Sequence, residues 1–135
     1  MRIVLDTNVL LVSIGRQSPF RPIFDALLNQ RLTLVVSTSI CLEYEEILVQ
    51  RNGPAVAHGI MQALENLQNV HHHETRYRWR LPYADPDDQK FVDAYVAGHA
   101  DCLVSNDRHF AGLAAAGFPE MQVVSAEAFL GLLSG

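Results

Sequence analysis

Short β-branched runs alternate along this chain with longer stretches in which apolar residues recur at every third or fourth position. The first pattern suits a strand and the second a helix, and their alternation is the signature of βαβ units around a parallel sheet. Strands are predicted near Arg2 to Leu5, Thr33 to Val36, Asn69 to His71, Cys102 to Val104 and Gln122 to Val124. Helices are predicted near Pro22 to Asn29, Thr38 to Gln50, Pro54 to Leu67, Asp87 to His99, Asp107 to Ala115 and Ala126 to Leu133. Ser37, Ser39 and Ser125 are placed to cap orphan amides, and Pro54 suits a first helical turn, where its missing N–H has no partner to lose. The stretch from His71 to Asp85 fits neither period and reads as an extended excursion that lengthens one crossover. The expected fold is α/β: a three-layer α/β/α sandwich with a mainly parallel, five-stranded sheet.

A length of 135 residues suits one domain, spanning 1–135, with a core of useful size. The apolar N-terminal stretch is broken by Asp6 and Asn8 and followed by no small-residue cleavage site, so it does not read as a signal peptide. No apolar run reaches membrane-spanning length, and a cytoplasmic protein is expected. Cys41 and Cys102 form no CxxC pair and read as small buried hydrophobes in a reducing compartment. The net charge of −5 argues against general attraction to nucleic acid, so a polyanionic substrate must be received locally, by metal ions or a basic patch.

Against that background the acidic positions carry the chemistry. Asp6 ends the run Met1 to Leu5, and Asp107 follows Cys102-Leu103-Val104 after Ser105 and Asn106. In an open α/β sheet, ligands bind outside the carboxyl ends of the strands, where strand order reverses. Glu43 lies six residues beyond Ser37 in the second predicted helix, and Asp88 closes Asp85-Pro86-Asp87-Asp88 at the start of the helix that feeds the fourth strand. Each has a plainer explanation alone: Asp caps helices well, first-turn acids suit the helix dipole, and Glu43 with Glu45 and Glu46 can form one solvated face. Together, four acids from four segments near one sheet edge would repel one another unless cations lay between them. Hard divalent ions accept such oxygen ligands, acidify water and offset charge on a phosphoryl group.

Leu5-Asp6-Thr7-Asn8-Val9-Leu10, Ser37 with Glu43 and Ile47-Leu48, and Asp85-Pro86-Asp87-Asp88 leading to Val104-Ser105-Asn106-Asp107 resemble a PIN-domain ribonuclease. The likeness is greatest to the bacterial, VapC-like toxin components of toxin–antitoxin systems and runs over essentially the whole chain. The resemblance implies that Asp6, Glu43, Asp88 and Asp107 are catalytic and hold Mg²⁺ or Mn²⁺ for hydrolysis of RNA phosphodiester bonds. It makes Ser105 a buttress to the acids near the substrate, and Asn8 a support for the loop after the first strand. Asp85 or Asp87 remains an alternative to Asp88, and Glu46 shares a helical face with Glu43. The resemblance also implies an antitoxin partner and a homodimer.

Arg76-Tyr77-Arg78-Trp79-Arg80 sets Arg76, Arg78 and Arg80 around two aromatics, a combination that contacts phosphates and stacks on unpaired bases. The same alternation also suits an edge strand protected by charge. His71, His72 and His73 point to alternate faces of a strand and read as a polar strand end, not a metal site. His99 and His109 read as surface residues. A phosphoacceptor receiver domain would need a lysine near a late strand end, whereas the sole lysine, Lys90, falls within a helix. A haloacid-dehalogenase-like phosphatase would need Asp where Asn8 stands. A non-catalytic binding module of the same fold is disfavoured by acids at all four positions.

Overall fold

The computed structural model describes residues 1–74, 86–116 and 120–134. Five strands, β1 (Arg2–Leu5), β2 (Thr33–Val36), β3 (Val70–His72), β4 (Cys102–Val104) and β5 (Val123–Val124), form one sheet in the order β3-β2-β1-β4-β5, with every neighbouring pair parallel. The connecting helices are α1 (Thr7–Ser13), α2 (Arg21–Leu28), α3 (Thr38–Asn52), α4 (Pro54–Asn66), α5 (Pro86–Ala97) and α6 (Arg108–Ala116), and α7 (Ala126–Ser134) follows β5. The chain winds outward from β1 to β3, then returns across the sheet to β4 and β5. Right-handed crossovers therefore put α1 to α4 on one face and α5 and α6 on the other, the expected three layers.

The sheet is the core. Ile3, Val4, Leu5, Leu34, Val35, Val36, Leu103 and Val104 are all fully buried, as strands covered on both faces must be, which is why they read as unbroken apolar runs rather than alternation. At Gly98, just after α5, the backbone lies close against the sheet: a Cβ there would clash with Val35 Cγ1. Ser37 caps α3 by accepting from the Ile40 N–H, and Ser125 caps α7 by accepting from Ala128. Between α3 and α4 the chain turns at Gly53, whose φ of 86° suits a residue without a side chain. Both cysteines are free thiols, and burial raises the pKa of each to about 11, which keeps them protonated and inert.

Three expectations are corrected. α1 begins directly after Asp6, so Asn8 stands exposed in the first turn of a helix and not in a loop. β3 begins one residue later than predicted because Asn69 turns inward, its amide donating to the Leu27 and Leu32 carbonyls. β5 is trimmed to two residues. His71 and His73 lie on either side of the Arg2 guanidinium, at 3.2 and 3.1 Å, in keeping with a polar strand end. No described helix is long and apolar enough to cross a membrane.

Candidate metal centre

Strand order reverses between β1 and β4, and the tips of these two strands are joined beyond their last paired residues. The Asp6 N–H donates to the Val104 carbonyl at 3.0 Å, while on the other side of β4 the Ser105 N–H donates to the Val124 carbonyl of β5 at 2.9 Å. Side chains then fix the loop after β4. The Ser105 hydroxyl donates to Asp6 Oδ2 at 2.7 Å and accepts from the Asp107 N–H at 3.0 Å. Asn106 Oδ1 accepts from Ala126 N, tying the loop to the start of α7. Asp107 Oδ1 accepts from the His109 N–H at 2.9 Å, so this carboxylate does cap α6 while it faces the crevice.

Asp6 behaves differently. It occupies the N-cap position of α1, yet its side chain does not cap the amides beyond Thr7 and turns instead to Ser105. Burial pushes its carboxyl above the ordinary carboxylate range, and the charges of Asp107 and Glu43 add to the effect; hydrogen bonds from Ser105 and the Thr7 N–H act in the opposite direction. A buried acid with two acidic neighbours is poised to gain from a cation.

Glu43 comes from α3, which is anchored to β1 by the fully buried Tyr44: its hydroxyl donates to the Leu5 carbonyl at 2.6 Å, one residue before Asp6. Both Glu43 oxygens are engaged. Thr7 Oγ1 donates to Oε2, and Lys90 Nζ lies 2.8 Å from Oε1. Opposite them, Asp88 in the first turn of α5, Asp107 and His109 bring one ligand atom each to within 4.8 Å of one another. His109 Nδ1 is 3.7 Å from Asp88 Oδ2 and 3.6 Å from Asp107 Oδ1. Carboxylate oxygens with an imidazole nitrogen suit a divalent ion such as Mg²⁺ or Mn²⁺, the imidazole favouring the transition metal.

The PIN-domain family model matches residues 2–109, a span that contains all of these groups. The chain belongs to the PIN-domain family. No curated protein matches it in sequence. Among solved structures, this PIN domain is similar to VapBC2 from Rickettsia felis bound to a DNA fragment from their promoter, with a TM-score of 0.66 and 16% identity over 93% of this chain and 98% of that one. It is also similar to VapBC-1 from nontypeable Haemophilus influenzae (TM-score 0.60, 12% identity, 94% and 99% covered). DNA-bound VapBC from Salmonella typhimurium is a third (0.59, 15%, 93% and 98%). At these identities the likeness is one of fold.

The structure thus brings Asp6, Ser105 and Asp107 together at the β1–β4 switch point, sets Glu43 beside Thr7 and Lys90, and puts Asp88 beside Asp107. Asp87 is exposed on the first turn of α5 and Glu46 is exposed on α3; neither is in the Asp88–Asp107 group. Asp85, Arg76, Arg78 and Arg80 lie outside the described residues. Sequence reasoning missed three contributors of this PIN domain. Thr7 directly follows Asp6, Lys90 is two residues beyond Asp88, and His109 two beyond Asp107; that adjacency was the available signal. His109 is indeed a surface residue, its side chain 70% exposed, but on the part of the surface where two carboxylates meet.

Proposed function

We propose that this PIN domain is a metal-dependent endoribonuclease, one nuclease unit over 1–135, acting as the toxin component of a toxin–antitoxin system. The observation that carries the reading is the convergence of Asp88 and Asp107, with His109, beside Asp6, whose proton affinity is raised by burial and further by its acidic neighbours. Asp6, Glu43, Asp88 and Asp107 are proposed to form the acidic site that takes Mg²⁺ or Mn²⁺. A bound divalent ion would make water a better nucleophile at neutral pH and draw charge from the phosphoryl oxygens.

The chain's own groups do the positioning. Ser105 fixes Asp6 Oδ2 and, through the Asp107 N–H, sets the separation of the two strand-end acids. Tyr44 holds α3 at the tip of β1, and so places Glu43. Arg76, Arg78 and Arg80 are proposed to receive the RNA backbone, supplying locally the positive charge that a chain of net −5 lacks overall. An antitoxin with a basic or amphipathic segment would cover the acidic crevice, a partner for which the VapBC structures of like fold are the support; a homodimer is also proposed for the toxin.

The test is cleavage of single-stranded RNA by the purified chain with Mn²⁺ or Mg²⁺, with excess EDTA, and with Asp88→Asn or Asp107→Asn. Activity should require the metal and fall by at least about a hundredfold in either variant, since outer-sphere changes alone reach ten- to a hundredfold at metal sites. Undiminished cleavage in EDTA would overturn the mechanism.

A further inference from the structure

The four acids of the crevice are not equivalent. Glu43 has a cation of its own: Lys90, the one lysine in the sequence, reaches from α5 to within 2.8 Å of Oε1. Both side chains are largely sheltered, 19% and 23% exposed, and the Lys90 ammonium is also 5.8 Å from the Phe91 ring. With Thr7 donating to Oε2, Glu43 is held from both sides by donors of the protein itself. Asp88, only two residues before Lys90 on the same helix, instead meets Asp107 and His109, whose nitrogen ligates metals readily.

We propose that Lys90 stands where a second metal ion would otherwise be needed: it neutralises Glu43, keeps that carboxylate out of direct metal coordination, and leaves this centre with a single divalent ion on the Asp88–Asp107 side. The proposal rests on the metal-site reading of the crevice. A divalent ion competing for Glu43 has to shed water, displace a sheltered ammonium and sit beside its positive charge. Lys90 is therefore a positioning residue that acts through Glu43, and it sets the number of metal ions.

The test is Mn²⁺ binding to the full chain without RNA, followed by calorimetry and by the electron paramagnetic resonance of free Mn²⁺. Urea unfolding of each variant verifies the fold. Wild type should bind one Mn²⁺, and Asp88→Asn should bind it at least tenfold more weakly. Lys90→Met should bind two, Lys90→Arg one, and the double variant Lys90→Met/Glu43→Gln one again, because the new position is built on Glu43. Lys90→Gln serves as the neutral variant if Lys90→Met does not unfold cooperatively. Two ions in wild type, or a neutral Lys90 variant with the stoichiometry and affinity of wild type, overturns the role of Lys90 while leaving the metal centre standing. Absence of Mn²⁺ binding to wild type overturns the metal centre itself and Lys90's role with it.

Discussion

Replacing Ser105 by alanine removes one hydroxyl that serves two partners at the heart of the crevice. Ser105 is 4% exposed and Asp6 8%, so water cannot freely take the hydroxyl's place. The bond to Asp6 is 2.7 Å long; hydrogen bonds to charged groups contribute about 1.5–3 kcal/mol. The bond from the Asp107 N–H, at 3.0 Å and only partly buried, adds about 0.5–1 kcal/mol. Ser105→Ala should therefore lose about 2–4 kcal/mol at pH 8 in EDTA, whereas Ser105→Thr, which keeps the hydroxyl, should lose less than ~1 kcal/mol. The pH dependence has a definite sign. The Ser105 bond favours ionised Asp6 and lowers its pKa, so its extra contribution is present above the folded-state pKa of Asp6 and fades as pH falls through it. Urea unfolding of wild type and both variants at pH 8 and pH 4 measures this, with a midpoint shift on the order of 1–2 M for the alanine variant at pH 8. A loss under ~0.5 kcal/mol at pH 8, or a gap that widens on acidification, would refute the reasoning.

Asp6→Asn should have the opposite effect in the metal-free protein. Burial raises the folded pKa of Asp6 above 3.8, so its ionisation makes wild-type stability fall as pH rises from 3.8 through that folded pKa; the variant should lack this fall and gain ~0.5–1 kcal/mol at neutral pH. Thermal melts should also show that Asp6→Asn loses most of the stabilisation Mn²⁺ gives wild type, and an identical metal response would remove Asp6 from the centre. Changing Arg76, Arg78 and Arg80 together should lower the log–log salt slope of RNA binding by about 2 units, and an unchanged slope would return them to edge protection. Gly98→Ala should destabilise by about 1–3 kcal/mol because the added Cβ clashes with Val35, in part recovered by pairing it with Val35→Ala; additive losses in urea unfolding would show that the two do not meet.

Much of the fold was legible because β1, β2 and β4 are buried on both faces, which forces unbroken β-branched runs, and because Ser37 and Ser125 mark true helix starts. α1 was missed for a related reason. Thr7–Ser13 is apolar on more than one side, with Thr7, Val9, Leu10 and Ser13 all buried, so no clear helical stripe distinguishes it from the strand before it. At the site, Asp6 and Asp107 stood out because strand ends project them. Glu43 could be named, but not its surroundings: Thr7 and Lys90 come from distant elements, and no periodicity records a contact across the crevice. His109 looked like surface because it is surface; what it lies next to depends on how α5 and α6 pack.

The pairing of β1 with β4 has a consequence for how the molecule is made. Ile3 lies opposite Cys102 and Leu5 opposite Val104, while β2, β1's other neighbour, begins at Thr33. During synthesis the segment through β2 emerges first and can pair β1 with β2, but the other side of β1 stays vacant until Cys102 to Val104 have been made. Only then do Ser105 and Asp107 reach Asp6. A chain released or cut before Cys102 would thus lack both a complete sheet and a complete set of acids, so no fragment from Met1 that ends there should carry its chemistry.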